Sequence, residues 1–199
     1  MPRRLLPLAA LVVVVSLGAG CAEDVAPAAR AGDAVVISND DLMAEAKEWV
    51  ASPKLLEQVG ITTTAGAGPG SYASPFVGVV LTNRIRFDLN REQFDALGLT
   101  LTDDDLATSR AGLFPDPSIT EVVLEQLTPA FGDRLVEDLA RVTAVSEAMG
   151  DGYEVWFASA TSSGIEVSSR YGSWDRQAGA VVPPAGPRPA PAPDQLVGA

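Results

Sequence analysis

Leu97-Gly98-Leu99-Thr100-Leu101-Thr102-Asp103-Asp104-Asp105-Leu106 ends one helix and begins another within a few residues. Gly98 is the residue type that tolerates the left-handed backbone of a helix stop. Thr102, with Asp105 three positions later, has the spacing of a capping box, and the three consecutive carboxylates suit the positive end of a helix dipole. A chain punctuated in this way is assembled from helices.

Outward from this turn the same grammar recurs. Ser52-Pro53, Ser74-Pro75, Asp116-Pro117 and Thr128-Pro129 each set a capping side chain before a proline at the first helical position, where its missing N–H costs nothing. Another helix begins near Ser38 or Asn39, and Gly60 and Gly150 offer further stops. Apolar stripes agree with these starts. Leu42, Ala46, Trp49 and Val50 share one face, as do Val77, Leu81, Ile85 and Leu89, and as do Phe131, Leu135, Leu139, Val142, Val145 and Met149. Two β-branched runs, Ala34 to Ile37 and Ile165 to Val167, read as short strands able to pair near the two ends of the domain. The expected fold class is therefore mainly α, with about six helices and two short strands. Tyr153 to Ala160 fits both alternation and helical spacing, so its state stays open.

Before the helical region stands a leader. Arg3 and Arg4 precede an apolar run through Val15, which closes on Leu17-Gly18-Ala19-Gly20 directly before Cys21, the single cysteine. This three-part build is that of an export signal. It resembles a bacterial lipoprotein signal, although Gly18 stands where leucine is usual and Leu17 lies one residue further back. The resemblance implies cleavage after residue 20, acylation of Cys21 and attachment at the outer face of the cytoplasmic membrane. Residues 21–33, rich in alanine, read as a lipidated tether, and residues 176–199, with six prolines between Pro183 and Pro193, as a disordered tail. The domain between them spans 34–175. The abundance of alanine, valine, glycine and proline, with arginine favoured over lysine, fits a GC-rich bacterial genome.

Charge excludes one class of partner. The chain carries a formal charge of −12, and loss of the leader removes two arginines and no acid, giving −14. Without a basic cluster it has nothing with which to neutralise phosphates, so nucleic acid is not a partner, and anionic headgroups would repel it.

The order of strand, helical body and returning strand carries a family resemblance. Ala34-Val35-Val36-Ile37-Ser38-Asn39-Asp40-Asp41-Leu42, Val80-Leu81-Thr82-Asn83-Arg84-Ile85-Arg86 and, most specifically, Leu97 to Leu106 resemble the N-terminal domain of SurA-type and PrsA-type extracytoplasmic folding factors. The segment Arg170-Tyr171-Gly172-Ser173-Trp174-Asp175 looks like lipoprotein members of that group. The resemblance implies a helical chaperone domain that offers apolar surface to unfolded exported chains. Its companion in the family, a parvulin-type prolyl isomerase domain, resembles its relatives in a pair of histidines, and this chain has no histidine.

Other chemistry fares no better. Triads of the Ser-His-Asp or Cys-His kind need an imidazole. A Ser-Lys arrangement has only Lys47 and Lys54 to draw on, and zinc sites need His and Cys clusters. Asp103-Asp104-Asp105 lacks the alternation of a calcium loop, and Gly66-Ala67-Gly68-Pro69-Gly70 lacks the ending of a phosphate loop. Glu121 with Glu125, and Glu137 with Asp138, read as solvated faces. No catalytic residue, metal or cofactor is expected. The expectation is a membrane-tethered holdase for unfolded or nascent exported polypeptides, with Trp49, Met149, Tyr153, Trp156 and Phe157 as client-binding candidates. Two alternatives stand beside it: a divergent prolyl isomerase, and an envelope lipoprotein that docks on one specific partner.

Overall fold

The computed structural model describes residues 27–32, 35–162 and 164–184. The leader, Cys21 with its lipidation, and the prolines beyond Pro184 lie outside the described residues. The elements run β1 (Ala29–Ala31), β2 (Val35–Ile37), α1 (Asn39–Ala51), α2 (Pro53–Gln58), α3 (Ser74–Ala96), α4 (Asp103–Ala111), α5 (Pro117–Gln126), α6 (Pro129–Met149), α7 (Gly152–Ser162), β3 (Ile165–Val167), β4 (Ser173–Asp175) and β5 (Ala180–Val182). The protein is mainly helical. The six expected helices are α1 to α6, and α7 resolves the segment left open by periodicity.

The decisive turn folds as its residues dictate. Gly98 takes a φ of 65°, and the Leu99 N–H reaches back to the Phe94 carbonyl at 3.2 Å while Gly98 N–H donates to Asp95 at 3.0 Å. These two bonds are the Schellman closure of α3. Four residues on, Thr102 Oγ1 accepts from Asp105 N–H at 3.2 Å and Asp105 Oδ2 accepts from Thr102 N–H at 2.8 Å, completing the capping box. Ser38, Ser52 and Asp116 cap α1, α2 and α5 through side-chain oxygens. Ser74 does not cap α3: the N-cap is Ala73, and Ser74 is already helical. Thr128 occupies the N-cap of α6 without a side-chain bond, and Glu48 accepts from its N–H at 3.2 Å instead.

The long helix α3 is the spine of the core. Val80, Leu81 and Ile85 are fully buried, and α1, α6, the first sheet and the β5 strand all pack against it. One expected pairing is corrected. The β2 and β3 strands do not pair with each other, because β1 lies between them and is antiparallel to both. Ala29 and Ala31 are buried and Arg30 is exposed, so three residues expected in the tether supply the central strand. Small alanines fit the close approach to α3, although they carry little strand propensity of their own.

The far boundary moves as well. The β4–β5 hairpin continues past residue 175 and folds onto α3, with Val181 buried and its N–H donating to Thr82 Oγ1 at 2.9 Å. Arg86 donates to the Gly179 carbonyl at 2.9 Å, and Trp174 Nε1 donates to the Thr161 carbonyl at 2.7 Å. Residues 176–184 thus belong to the domain rather than to a tail. At this corner Arg170 lies over the Tyr171 ring, while Asp175 accepts from the N–H groups of Gln177 and Ala178, so the two do not form the cross-turn pair their charges suggest.

Candidate functional site

Helix α6 stops at Gly150, and α7 begins two residues later. The break turns α7 so that one face lies along the C-terminal half of α3. Tyr153 Oη donates to Asn90 Oδ1 at 3.2 Å, and the buried Asn90 in turn donates through Nδ2 to the Arg86 carbonyl at 2.9 Å. Burial pushes the Tyr153 phenol above its ordinary pKa. Gln93 Nε2 approaches Met149 Sδ at 3.8 Å.

Three of the five candidate residues, Tyr153, Trp156 and Phe157, are brought together here, and Met149 lies at the end of α6 beside Gln93. Tyr153 stacks on Phe157 with centroids 5.8 Å apart, and Trp156 stands 5.6 Å from Tyr153 and 5.9 Å from Phe157. All three rings, and Met149, are only partly buried. Trp156 and Ala160 form one wall of a cleft of about 200 Å³ whose other wall is Leu89, Glu92, Gln93 and Ala96 of α3. Helical spacing decides the segment: alternation would turn Val155 and Phe157 the same way, whereas Val155 is 74% exposed. The fifth candidate is a correction. Trp49 is 4% exposed, packed beside Leu42 and Ala46, and offers no surface to a client. Its stripe on α1 is core.

A second constellation corrects the expectation that Glu137 and Asp138 lie on a solvated face: Glu137 is half-exposed, but Asp138 is 4% exposed and belongs to a network of ion pairs. Glu45 of α1 accepts from Arg134 of α6 at 3.0 Å and lies 3.6 Å from Arg84 of α3. Arg84 binds Asp88 at 2.8 Å, Asp88 binds Arg91 at 2.8 Å, and Arg91 reaches Asp138 of α6 at 2.7 Å. Arg141 closes the chain on Asp138 and Glu137 at 3.2 and 2.8 Å. Burial pushes the carboxyls of Glu45 and Asp88 up, outweighing the arginines beside them. The signal was present in the spacing of Arg84, Asp88 and Arg91, which share a helix face. A cleft of about 380 Å³ opens against this network and is lined by Asp41, Glu48 and Phe131 as well as Glu45, Arg84 and Arg134. It is a charged cleft whose arginines are already matched.

The remaining candidates have ordinary partners. Asp105 is held below the usual carboxylate range by the Thr102 backbone N–H and hydroxyl, which is its work as a cap. Lys54 pairs with Glu57 at 2.9 Å and Arg110 with Glu121 at 3.1 Å, both on the surface. Among the described residues no group of three or more His, Cys, Asp and Glu is arranged to hold a metal, and no helix is long and apolar enough to cross a membrane.

No family model, curated protein or solved structure matches the chain.

Proposed function

We propose that this chain is an extracytoplasmic binding module that holds short apolar segments of unfolded exported proteins, tethered to the membrane through acyl chains on Cys21. One observation carries the reading: Tyr153, Trp156 and Phe157 form a partly exposed cluster of rings, and Trp156 lines an open cleft. Aromatic rings and a flexible thioether suit adaptable, low-specificity contacts. The cleft's size favours one or two side chains at a time rather than an enclosed client, so binding would be weak and reversible. The strongly acidic chain supports solubility of the complex. The module performs no covalent chemistry in this reading, which the lack of any histidine supports.

The test is light scattering from an unfolded client in the presence of residues 21–199. Suppression at near-stoichiometric ratio is the expected result, and unchanged scattering overturns the proposal. Isomerase activity would instead accelerate a proline-limited refolding phase at substoichiometric amounts.

A second reading, docking on one specific partner, is favoured by the charged character of the 380 Å³ cleft. Capture experiments separate the two. One stoichiometric partner supports docking, and a heterogeneous set of exported chains supports the holdase.

A further inference from the structure

Along the first turns of α6, Pro129, Gly132, Asp133, Val136 and Glu137 recur at helical spacing and form the floor of a groove between α4 and α5. On the α4 side Leu106, Ala107 and Arg110 wall a cleft of about 270 Å³. On the α5 side Glu121, Leu124 and Glu125 wall a second cleft of about 210 Å³. Arg110 and Asp133 line both, so the two clefts make one groove. Its depth has local causes. Helix α4 buries only Ser109, which leaves Leu106 partly exposed, and Gly132 adds no side chain to the floor, where a Cβ would stand 3.3 Å from Leu124 Cδ2.

The groove is apolar below and acidic at its rim. Leu106, Leu124 and Val136 supply the apolar surface, and four carboxylates, Glu121, Glu125, Asp133 and Glu137, stand against the single guanidinium of Arg110. Arg110 is engaged by Glu121 at 3.1 Å, and Glu137 by Arg141 at 2.8 Å. Glu125 makes no ion pair among the described residues, and Asp133 acts on Arg110 only from beyond salt-bridge distance. Two exposed carboxylates are thus left for a cation from outside, on a chain whose net charge repels acidic partners and attracts basic ones. The centres of the clefts lie about four residues apart on α6, roughly 6 Å along its axis. Alternate side chains of an extended segment point the same way at a spacing of about 6.6 Å.

We propose that this groove docks an extended segment of a partner protein in which two apolar side chains, two residues apart, are flanked by lysine or arginine. The apolar pair fills the two clefts, and the flanking cations meet Glu125 and Asp133. The groove shares no lining residue with the aromatic cleft or with the 380 Å³ cleft, so this docking stands or falls apart from the holdase reading.

The experiment titrates residues 21–199 carrying Cys21→Ser with three end-blocked peptides: Lys-Leu-Thr-Leu-Lys, Glu-Leu-Thr-Leu-Glu and Lys-Ser-Thr-Ser-Lys. Methyl resonances of Leu106, Leu124 and Val136 report on the groove, and the indole N–H of Trp156 reports on the aromatic cleft. The first peptide is expected to move the three methyl groups and to bind about tenfold more tightly than either control at low salt, with its advantage over the glutamate peptide shrinking as salt is raised. Equal binding of the lysine and glutamate peptides overturns the proposal, as does movement of Trp156 alone. The joint substitutions Glu125→Lys and Asp133→Lys are expected to invert the charge preference. Ala107→Trp, which fills the α4 cleft without changing charge, is expected to weaken the first peptide about tenfold. An unchanged preference in the former or an unchanged affinity in the latter overturns the docking. All three positions are exposed, and should a variant lose its helicity the peptide comparison on the parent decides. Light scattering with the double lysine variant separates the two readings: holding that persists while the peptide preference inverts supports a groove distinct from the rings, and holding lost with it moves client capture from the rings to the groove.

Discussion

Arg91 of α3 and Asp138 of α6 are joined by a 2.7 Å hydrogen bond between residues far apart in sequence. Asp138 is 4% exposed and also accepts from Arg141, so its carboxylate gathers two guanidinium groups at the interface of the two longest helices. Removing a buried partner strands the charges that faced it. Asp138→Ala is therefore expected to destabilise the fold by about 2 kcal/mol, below the figure for a wholly buried pair because both arginines keep some solvent. Glu137→Ala, at a half-exposed position on the same helix, is expected to cost under about 0.5 kcal/mol. Urea unfolding of both variants checks the contrast, and equal losses would show that the bridge to α3 adds nothing.

Local grammar explains how much of this fold could be read in advance. Glycine stops, Ser/Asp/Thr caps and first-turn prolines act within four or five residues, so Ser52, Asp116, Thr102 and Gly98 announce their roles in the sequence. The β1 strand could not be read this way. Ala29-Arg30-Ala31 has neither β-branched nor aromatic residues, and only the neighbouring strands and α3 make it a strand. The hairpin β4–β5 does carry strand formers in Trp174, Val181 and Val182, but its docking depends on Thr82 and Arg86 from the middle of α3. In the candidate site, the aromatics could be named but only partly sorted. The stripe that Trp49 shares with Leu42 and Ala46 marked it as core, whereas the open periodicity around Trp156 left its burial to the structure.

Thr120 illustrates a polar atom that the core does not use. It is 1% exposed on α5, and its Oγ1 has no hydrogen-bond partner among the described residues. A buried hydroxyl without a partner carries its desolvation cost uncompensated. Thr120→Val, which keeps the branched shape, is expected to raise stability by about 1 kcal/mol. Thr120→Ser keeps the hydroxyl and loses the methyl, and is expected to lower stability by about the worth of one buried methyl, roughly 1 kcal/mol. Thermal unfolding of the pair decides it: a valine variant that melts below the parent would mean the hydroxyl has a water partner.

Acid has two opposed effects. Burial raises Glu45 and Asp88 above their ordinary values of 4.5 and 3.8, so the folded state takes up their protons more readily than the unfolded chain. Their favourable contribution is complete below those ordinary values and is lost as pH rises through the raised ones. Asp105 and Asp116 behave in the other sense, since their cap hydrogen bonds lower them; what they contribute is present above the ordinary value and lost as pH falls through the lowered one. Stability is thus expected to climb as pH falls from neutral toward the ordinary carboxylate range, then to decline below it. Glu45→Gln should flatten the upper limb and leave the lower one unchanged. A denaturation midpoint measured across the acid range tests this, and an upper limb of undiminished slope in the variant would remove Glu45 as its source.

The two tryptophans Trp49 and Trp156 separate binding from folding. Trp49 is packed between helices, and Trp49→Ala opens a large cavity, for which about 3 to 5 kcal/mol of lost stability is expected. Any loss of client holding in that variant should follow the fraction unfolded and disappear when the fold is restored by cooling or osmolyte. Trp156 is partly exposed, stands beside the rings of Tyr153 and Phe157 and lines the cleft against α3. Trp156→Ala is expected to cost about 1 kcal/mol of stability while lowering client affinity about tenfold, as hot-spot aromatics do on truncation. Trp156→Phe should recover most of the affinity because a ring remains in the cluster. Light scattering against an unfolded client, paired with urea midpoints for each variant, gives both quantities. Full holding by Trp156→Ala would place the binding surface elsewhere on the molecule.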